Sequence, residues 1–208
     1  MRRSALALLA VVAVTVLAGC GSSGSDSSKA DDTSATTSTT AASFSSTTAP
    51  ASSTGGPASC AKAAAIPKGV VAGKPTSVDL PAKPTKGDVK VTVLKEGNGP
   101  EVTDSSYVTV HYLGVSCTSG EQFDSSWDRG DPITIAMPGA TPTQTAFSVI
   151  EGWNKGLVGQ KQGTLVQLDI PSDLGYGPAG SPPAIAPNDP LTFVILISKV
   201  SDTAPPGP

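Results

Sequence analysis

His111 is the single histidine of this 208-residue chain, so a Ser-His-Asp or Cys-His mechanism has one candidate base. It lies in the run Tyr107-Val108-Thr109-Val110-His111-Tyr112, on the strand face opposite Tyr112, and reads as a surface residue. No Gly-rich strand-to-helix loop of the dinucleotide- or phosphate-binding type occurs. Hydrolysis and phosphoryl transfer therefore lack their parts. What remains is a set of aromatics, Tyr112, Phe123, Trp153, Tyr176 and Phe193, with one carboxylate, Asp124, among them. They are spread over the whole domain. Taken singly, Trp153 and Phe193 suit an ordinary core and Asp124 in Phe-Asp-Ser-Ser suits a turn. The joint pattern carries the functional reading.

These side chains need a scaffold. In residues 147–157, Val149, Ile150, Trp153 and Leu157 recur at helical spacing, which predicts a short helix with the indole on its apolar face. Alternation predicts strands over residues 88–96, 107–115, 163–170 and 191–200, with a short one at 133–135. In the second, Val108, Val110 and Tyr112 share one face, so Tyr112 points inward. Turn residues at 97–100 separate the first two strands. The order reads as α+β, an antiparallel sheet packed on a single helix, without repeats. A net charge of −3 gives no electrostatic footprint for nucleic acid.

The flanks are different in kind. Residues 1–20 join Arg2 and Arg3 to an apolar run and end Leu17-Ala18-Gly19-Cys20, an export signal. That ending resembles the lipobox of bacterial lipoproteins. It implies diacylglyceryl transfer to the Cys20 sulfur, cleavage before it, and a stably anchored protein on the outer side of the membrane. Residues 21–59 are rich in Ser and Thr and bury too little to fold, which predicts a disordered tether. Residues 60–85 regain aliphatics between prolines 67, 75, 81 and 84 and read as an irregular flank packed on the domain. The domain itself spans 86–201, and 202–208 form a disordered tail. In an oxidising compartment the two remaining cysteines, Cys60 and Cys117, are expected to pair. With all three cysteines so used, no metal site and no cofactor are expected.

Four motifs now combine. His111-Tyr112-Leu113-Gly114, Phe123-Asp124-Ser125-Ser126, Val149-Ile150-Glu151-Gly152-Trp153 and Leu174-Gly175-Tyr176-Gly177 follow one another as in the FKBP-type peptidyl-prolyl cis-trans isomerases, which this chain resembles over roughly residues 86–201. The resemblance implies a five-stranded antiparallel sheet curled around one short helix, with a pocket between them. It implies Trp153 as floor, Tyr112, Phe123, Ile133, Ile185 and Phe193 as walls, and Val149 and Ile150 at the rim. The Ile150 N–H would meet a ligand carbonyl, and Asp124 and the Tyr176 hydroxyl would stand at the mouth. Asp124, Tyr176 and Trp153 are then the expected catalytic groups.

By the same resemblance, the partners are proline-containing polypeptides and tacrolimus-like macrolides, and the protein acts as a monomeric isomerase on exported chains. Two rival readings are a surface module that binds Pro-containing segments without efficient turnover, and a structural or adhesive lipoprotein domain. Two departures from the family pattern bear on the pocket. Ile133 stands where phenylalanine is common, and residues 138–146 form a longer link, expected to overhang the site.

Overall fold

The computed structural model describes residues 56–207. The export segment, Cys20 and the tether up to residue 55 lie outside the described residues. Seven strands form one sheet: β1 (Lys90–Lys95), β2 (Tyr107–Ser116), β3 (Gln122–Ser125), β4 (Ile133–Ala136), β5 (Ala146–Phe147), β6 (Leu165–Ile170) and β7 (Leu191–Ser201). Among the described residues two α-helices, α1 (Ser126–Arg129) and α2 (Glu151–Leu157), and two short 3-10 helices, Ser172–Leu174 and Gly177–Ala179, complete it. The sheet runs β1-β6-β7-β2-β4-β5, with β3 also paired to β2.

The five strands expected from alternation are β1, β2, β4, β6 and β7, and every pairing among them is antiparallel. Two short strands add to them. β5 runs parallel to β4, and β3 pairs antiparallel with β2. β3 and β4 lie along the same edge of β2: the chain pairs at Leu113↔Ser125, leaves as α1, and returns at Val110↔Ile133. That excursion separates Phe123 and Asp124 from Ile133 in sequence while keeping all three beside β2. β5 has only two residues and β3, Gln122-Phe123-Asp124-Ser125, only one apolar side chain, so neither shows an alternation.

The strand pleat sorts side chains onto two faces. The inner face gathers Val108, Val110, Tyr112, Val166, Leu168, Ile170, Phe193, Ile195 and Ile197 against Trp153 and Leu157 of α2. α2 can approach closely because it presents glycine to the sheet. A Cβ at Gly152 would stand 2.4 Å from Ile170 Cγ2, and one at Gly156 2.6 Å from Leu168 Cδ2. The outer face carries Leu113, Val115 and Val194 with Trp127 of α1, covered by Ile66 and Val78 of the flank.

The flank is fastened as well as packed. A disulfide joins Cys60 to Cys117 at the end of β2. Ala61 N–H donates to the Cys117 carbonyl at 2.8 Å and Ala64 N–H to that of Gly120 at 2.8 Å. Further along, the Gln167 side-chain amide donates to the Asp79 carbonyl at 2.8 Å.

Three expectations change. The helix begins at Glu151 rather than near 149: Ile150 has ψ 151° and caps it, so Val149 and Ile150 enter as extended chain. His111 is not a simple surface residue. It is half-buried, stacks on Trp127 with ring centroids 5.4 Å apart, and has Nδ1 3.1 Å from Ser126 Oγ. Burial pushes its pKa down, partly opposed by the charge of Asp131. Finally, none of residues 138–146 lines the cavity described below. They are drawn to the sheet edge by β5 and by a hydrogen bond of 2.9 Å from the Tyr107 hydroxyl to the Thr141 carbonyl.

Candidate active site

A cavity of about 360 Å³ opens between α2 and the inner face of the sheet. Trp153 closes its base at 3% exposure. The indole meets Tyr112 edge-on at 5.2 Å and 77°, and Phe193 at 5.2 Å and 83°. Phe123 meets Phe193 at 5.6 Å and 89°. Such edge-to-face contacts satisfy the ring quadrupoles and hold each ring in place. The Trp153 Nε1 has no hydrogen-bond partner among the described residues.

Gly114 of β2 makes this cluster possible. A Cβ there would lie 2.5 Å from Phe123 Cζ and 2.7 Å from Phe193 Cε1, so only a residue without a side chain lets the two rings close over the strand.

One side of the mouth is polar. The Tyr112 hydroxyl donates to Asp124 Oδ2 at 2.5 Å, while Arg129 Nη2 donates to the same hydroxyl at 2.8 Å and Nη1 to Asp124 Oδ1. The guanidinium carbon also sits 5.5 Å from the Tyr112 ring centroid. Burial together with the Asp124 carboxylate pushes the Tyr112 phenol up to about 12, against the opposing pull of Arg129. Tyr112 therefore stays protonated throughout the neutral range and acts as a donor. Tyr176, 40% exposed, faces the same carboxylate, and its phenol is also raised, by burial first and by Asp124 second. Its hydroxyl has no partner among the described residues.

A family model described as FKBP-type peptidyl-prolyl cis-trans isomerase matches residues 99–198. An FK506-binding protein of Streptomyces anulatus is 38% identical over 118 residues, 56% of this chain and 90% of that protein. A probable FK506-binding protein of Corynebacterium glutamicum is 36% identical over 124 residues, 60% of this chain and 95% of that protein. The chain belongs to the FKBP-type peptidyl-prolyl cis-trans isomerases. The crystal structure of FkpA from Escherichia coli aligns at 35% identity and a TM-score of 0.47, over 57% of this chain and 50% of that one.

The FKBP pocket gathers most of the side chains singled out in sequence. Tyr112, Phe123, Asp124, Ile133, Val149, Ile150, Trp153, Tyr176 and Phe193 all line it, together with Ser148. Ile185 does not. It is buried in the inner core and bridges to Ser181, so the cavity does not have it as the wall that was expected. Asp124 is a strand residue held by Tyr112 and Arg129, which leaves no turn-capping role for its side chain.

Arg129 was missed. Its one sequence signal is a cation in the same Phe123-to-Arg129 segment as Asp124, and only α1 brings it back across the mouth. Among the described residues no cluster of His, Cys, Asp and Glu could hold a metal ion, and no helix is long and apolar enough to cross a membrane.

Proposed function

We propose that this isomerase is an exported, lipid-anchored protein that turns X-Pro bonds of polypeptides folding outside the cytoplasm. The observation that carries the site reading is the buried aromatic base formed by Trp153, Tyr112 and Phe193 beneath a polar mouth formed by Asp124, Arg129 and Tyr176. A proline ring seats on Trp153, between Phe123, Phe193 and Ile133. Ile150, extended at the start of α2, offers its N–H to the substrate carbonyl.

The barrier to rotation about a peptide bond is about 18–20 kcal/mol because amide resonance makes the C–N bond partly double. Twisting destroys that resonance and its charge separation. Water stabilises the planar amide more than the twisted one, so replacing water with rings favours the transition state by comparison. No covalent intermediate is needed. Asp124, held by Tyr112 and Arg129, and the Tyr176 hydroxyl fix the carbonyl side of the substrate as the bond turns.

Cys20 within Leu-Ala-Gly-Cys supports the lipid anchor, and the disulfide supports an oxidising compartment. Uncatalysed X-Pro isomerisation takes tens to hundreds of seconds, slow enough to hold up folding there. Two assays test the reading. The full chain should isomerise a short X-Pro peptide and lose that activity to tacrolimus, whereas tacrolimus binding without turnover would make it a binding module and neither would refute the site. Cys20→Ala should release the protein from membranes; continued lipid labelling would refute the anchor.

A further inference from the structure

Tyr176 lines the cavity at 40% exposure, and its hydroxyl bonds to no other side chain among the described residues. The backbone beside it must therefore set where that hydroxyl stands. This backbone is one leg of a loop stem. The chain leaves Tyr176 through the 3-10 helix Gly177–Ala179, doubles back at the bridge between Ser181 and Ile185, and returns at Asn188. There the Asn188 N–H donates to the Gly177 carbonyl at 2.9 Å. Asn188 has φ 56°, a left-handed conformation that Asn tolerates better than most side chains.

The residue after it is fastened on both carboxylate oxygens. Asp189 is 2% exposed. Ser116 Oγ donates to its Oδ2 at 2.5 Å, and Thr118 donates to its Oδ1 twice, from the backbone N–H at 2.9 Å and from Oγ1 at 2.8 Å. The Pro190 carbonyl accepts from the Cys117 N–H at 3.0 Å. All four donors belong to the consecutive residues Ser116, Cys117 and Thr118 at the end of β2, where the disulfide also holds the chain.

No ion pair among the described residues includes Asp189. A buried carboxylate is costly unless donors fill its oxygens, and hydrogen bonds to a charged acceptor are stronger than neutral ones. The return leg of the loop is thus tied to β2 more firmly than its backbone bonds alone would tie it. Each link from Ser116 and Thr118 to Asp189, and from Asn188 to Gly177, is a direct hydrogen bond, and Gly177 is the neighbour of Tyr176.

We propose that Asp189 is a positioning residue for the isomerase site: by pinning the loop stem to the end of β2, it holds the Tyr176 hydroxyl at the pocket mouth. The inference rests on the reading of Tyr176 as a working group of the mouth, and it adds the residue that keeps it in place.

The test uses the full chain with Asp189→Ala, Tyr176→Ala and the double variant, each checked for fold by thermal melting. Asp189→Ala is expected to lower kcat/KM for an X-Pro peptide about fivefold, the loss of one oriented polar group, and to change it by less than about twofold when Tyr176 is already Ala. A residue that merely supports the core would cause the same loss in both backgrounds. That result, or unchanged activity in Asp189→Ala, overturns the proposal.

The Tyr176 ring resonances, assigned by their loss in Tyr176→Ala, supply a readout independent of turnover. They should move in Asp189→Ala while those of Tyr107 stay in place. Unmoved Tyr176 signals, or Tyr107 signals that move as far, overturn the proposal. If Tyr176→Ala alone keeps full activity, the reading of the mouth fails and the ring signals still decide the positioning. If Asp189→Ala does not fold, Ser116→Ala decides by the same signals, because it removes one donor and leaves the carboxylate: a shift at Tyr176 supports the proposal, and none overturns it.

Discussion

The Tyr112 hydroxyl donates to Asp124 Oδ2 at 2.5 Å, binding the central strand to the short strand beside it across the pocket mouth. Removing that donor leaves Asp124 with Arg129 alone and frees the carboxylate to shift. Tyr112→Phe is expected to fold normally and to lower kcat/KM about fivefold, the loss of about one hydrogen bond's net contribution. Peptide isomerisation with KM and kcat measured separately checks this.

Alkaline titration addresses the same phenol. Its pKa in the folded protein, about 12, lies above the ordinary tyrosine value, so the folded state keeps its proton after the unfolded chain has lost it. The stability linked to Tyr112 is fully present below about pH 10 and lost as the pH rises toward 12. Melting temperatures recorded from pH 9 to 12 should fall more steeply for wild type than for Tyr112→Phe.

Gly114→Ala should fail at the aromatic cluster rather than in the backbone. The added methyl would meet Phe123 and Phe193 at 2.5 and 2.7 Å, forcing the rings apart. Overpacking of this kind costs about 2 kcal/mol, and macrolide or peptide binding should weaken with it. Thermal melting and ligand titration together separate the two effects.

The two tryptophans lie on opposite faces of the sheet, Trp153 at the cavity and Trp127 under the flank. A pocket ligand should therefore change the fluorescence of Trp153 only. Trp153→Phe is expected to abolish the fluorescence response to tacrolimus and Trp127→Phe to retain it; Trp153→Ala should cost about 3–5 kcal/mol of stability, as truncation of a buried indole does.

The disulfide joins residues 57 apart in sequence. Closing a loop of that length stabilises by about 4 kcal/mol in the chain-entropy model, which corresponds to roughly 10 °C in Tm for a domain of this size. Melting with and without reductant should show that difference in wild type and none in Cys60→Ser/Cys117→Ser.

Much of this was written in local pattern. Alternating residues such as Val108, Val110 and Tyr112 specify a strand and its buried face, because the side-chain period is a property of the backbone itself. The types and order of Tyr112, Phe123, Asp124, Trp153, Tyr176 and Phe193 identified the pocket and its family.

Tertiary structure decided what depends on distance across the fold. Local periodicity carries no information about which edge β3 and β5 join, so the excursion through α1 was invisible, and with it the return of Arg129 to Asp124. His111 read as exposed because alternation says which face a residue takes but not what covers that face; the cover is Trp127 and a flank rich in proline, joined by side chains that no period relates. Ile185 was assigned to the pocket by resemblance, whereas the fold bridges it to Ser181 and buries it in the inner core, outside the cavity lining. The Lys74–Asp128 pair spans 54 positions, and a contact that far apart in sequence exists only once the sheet has formed between its ends.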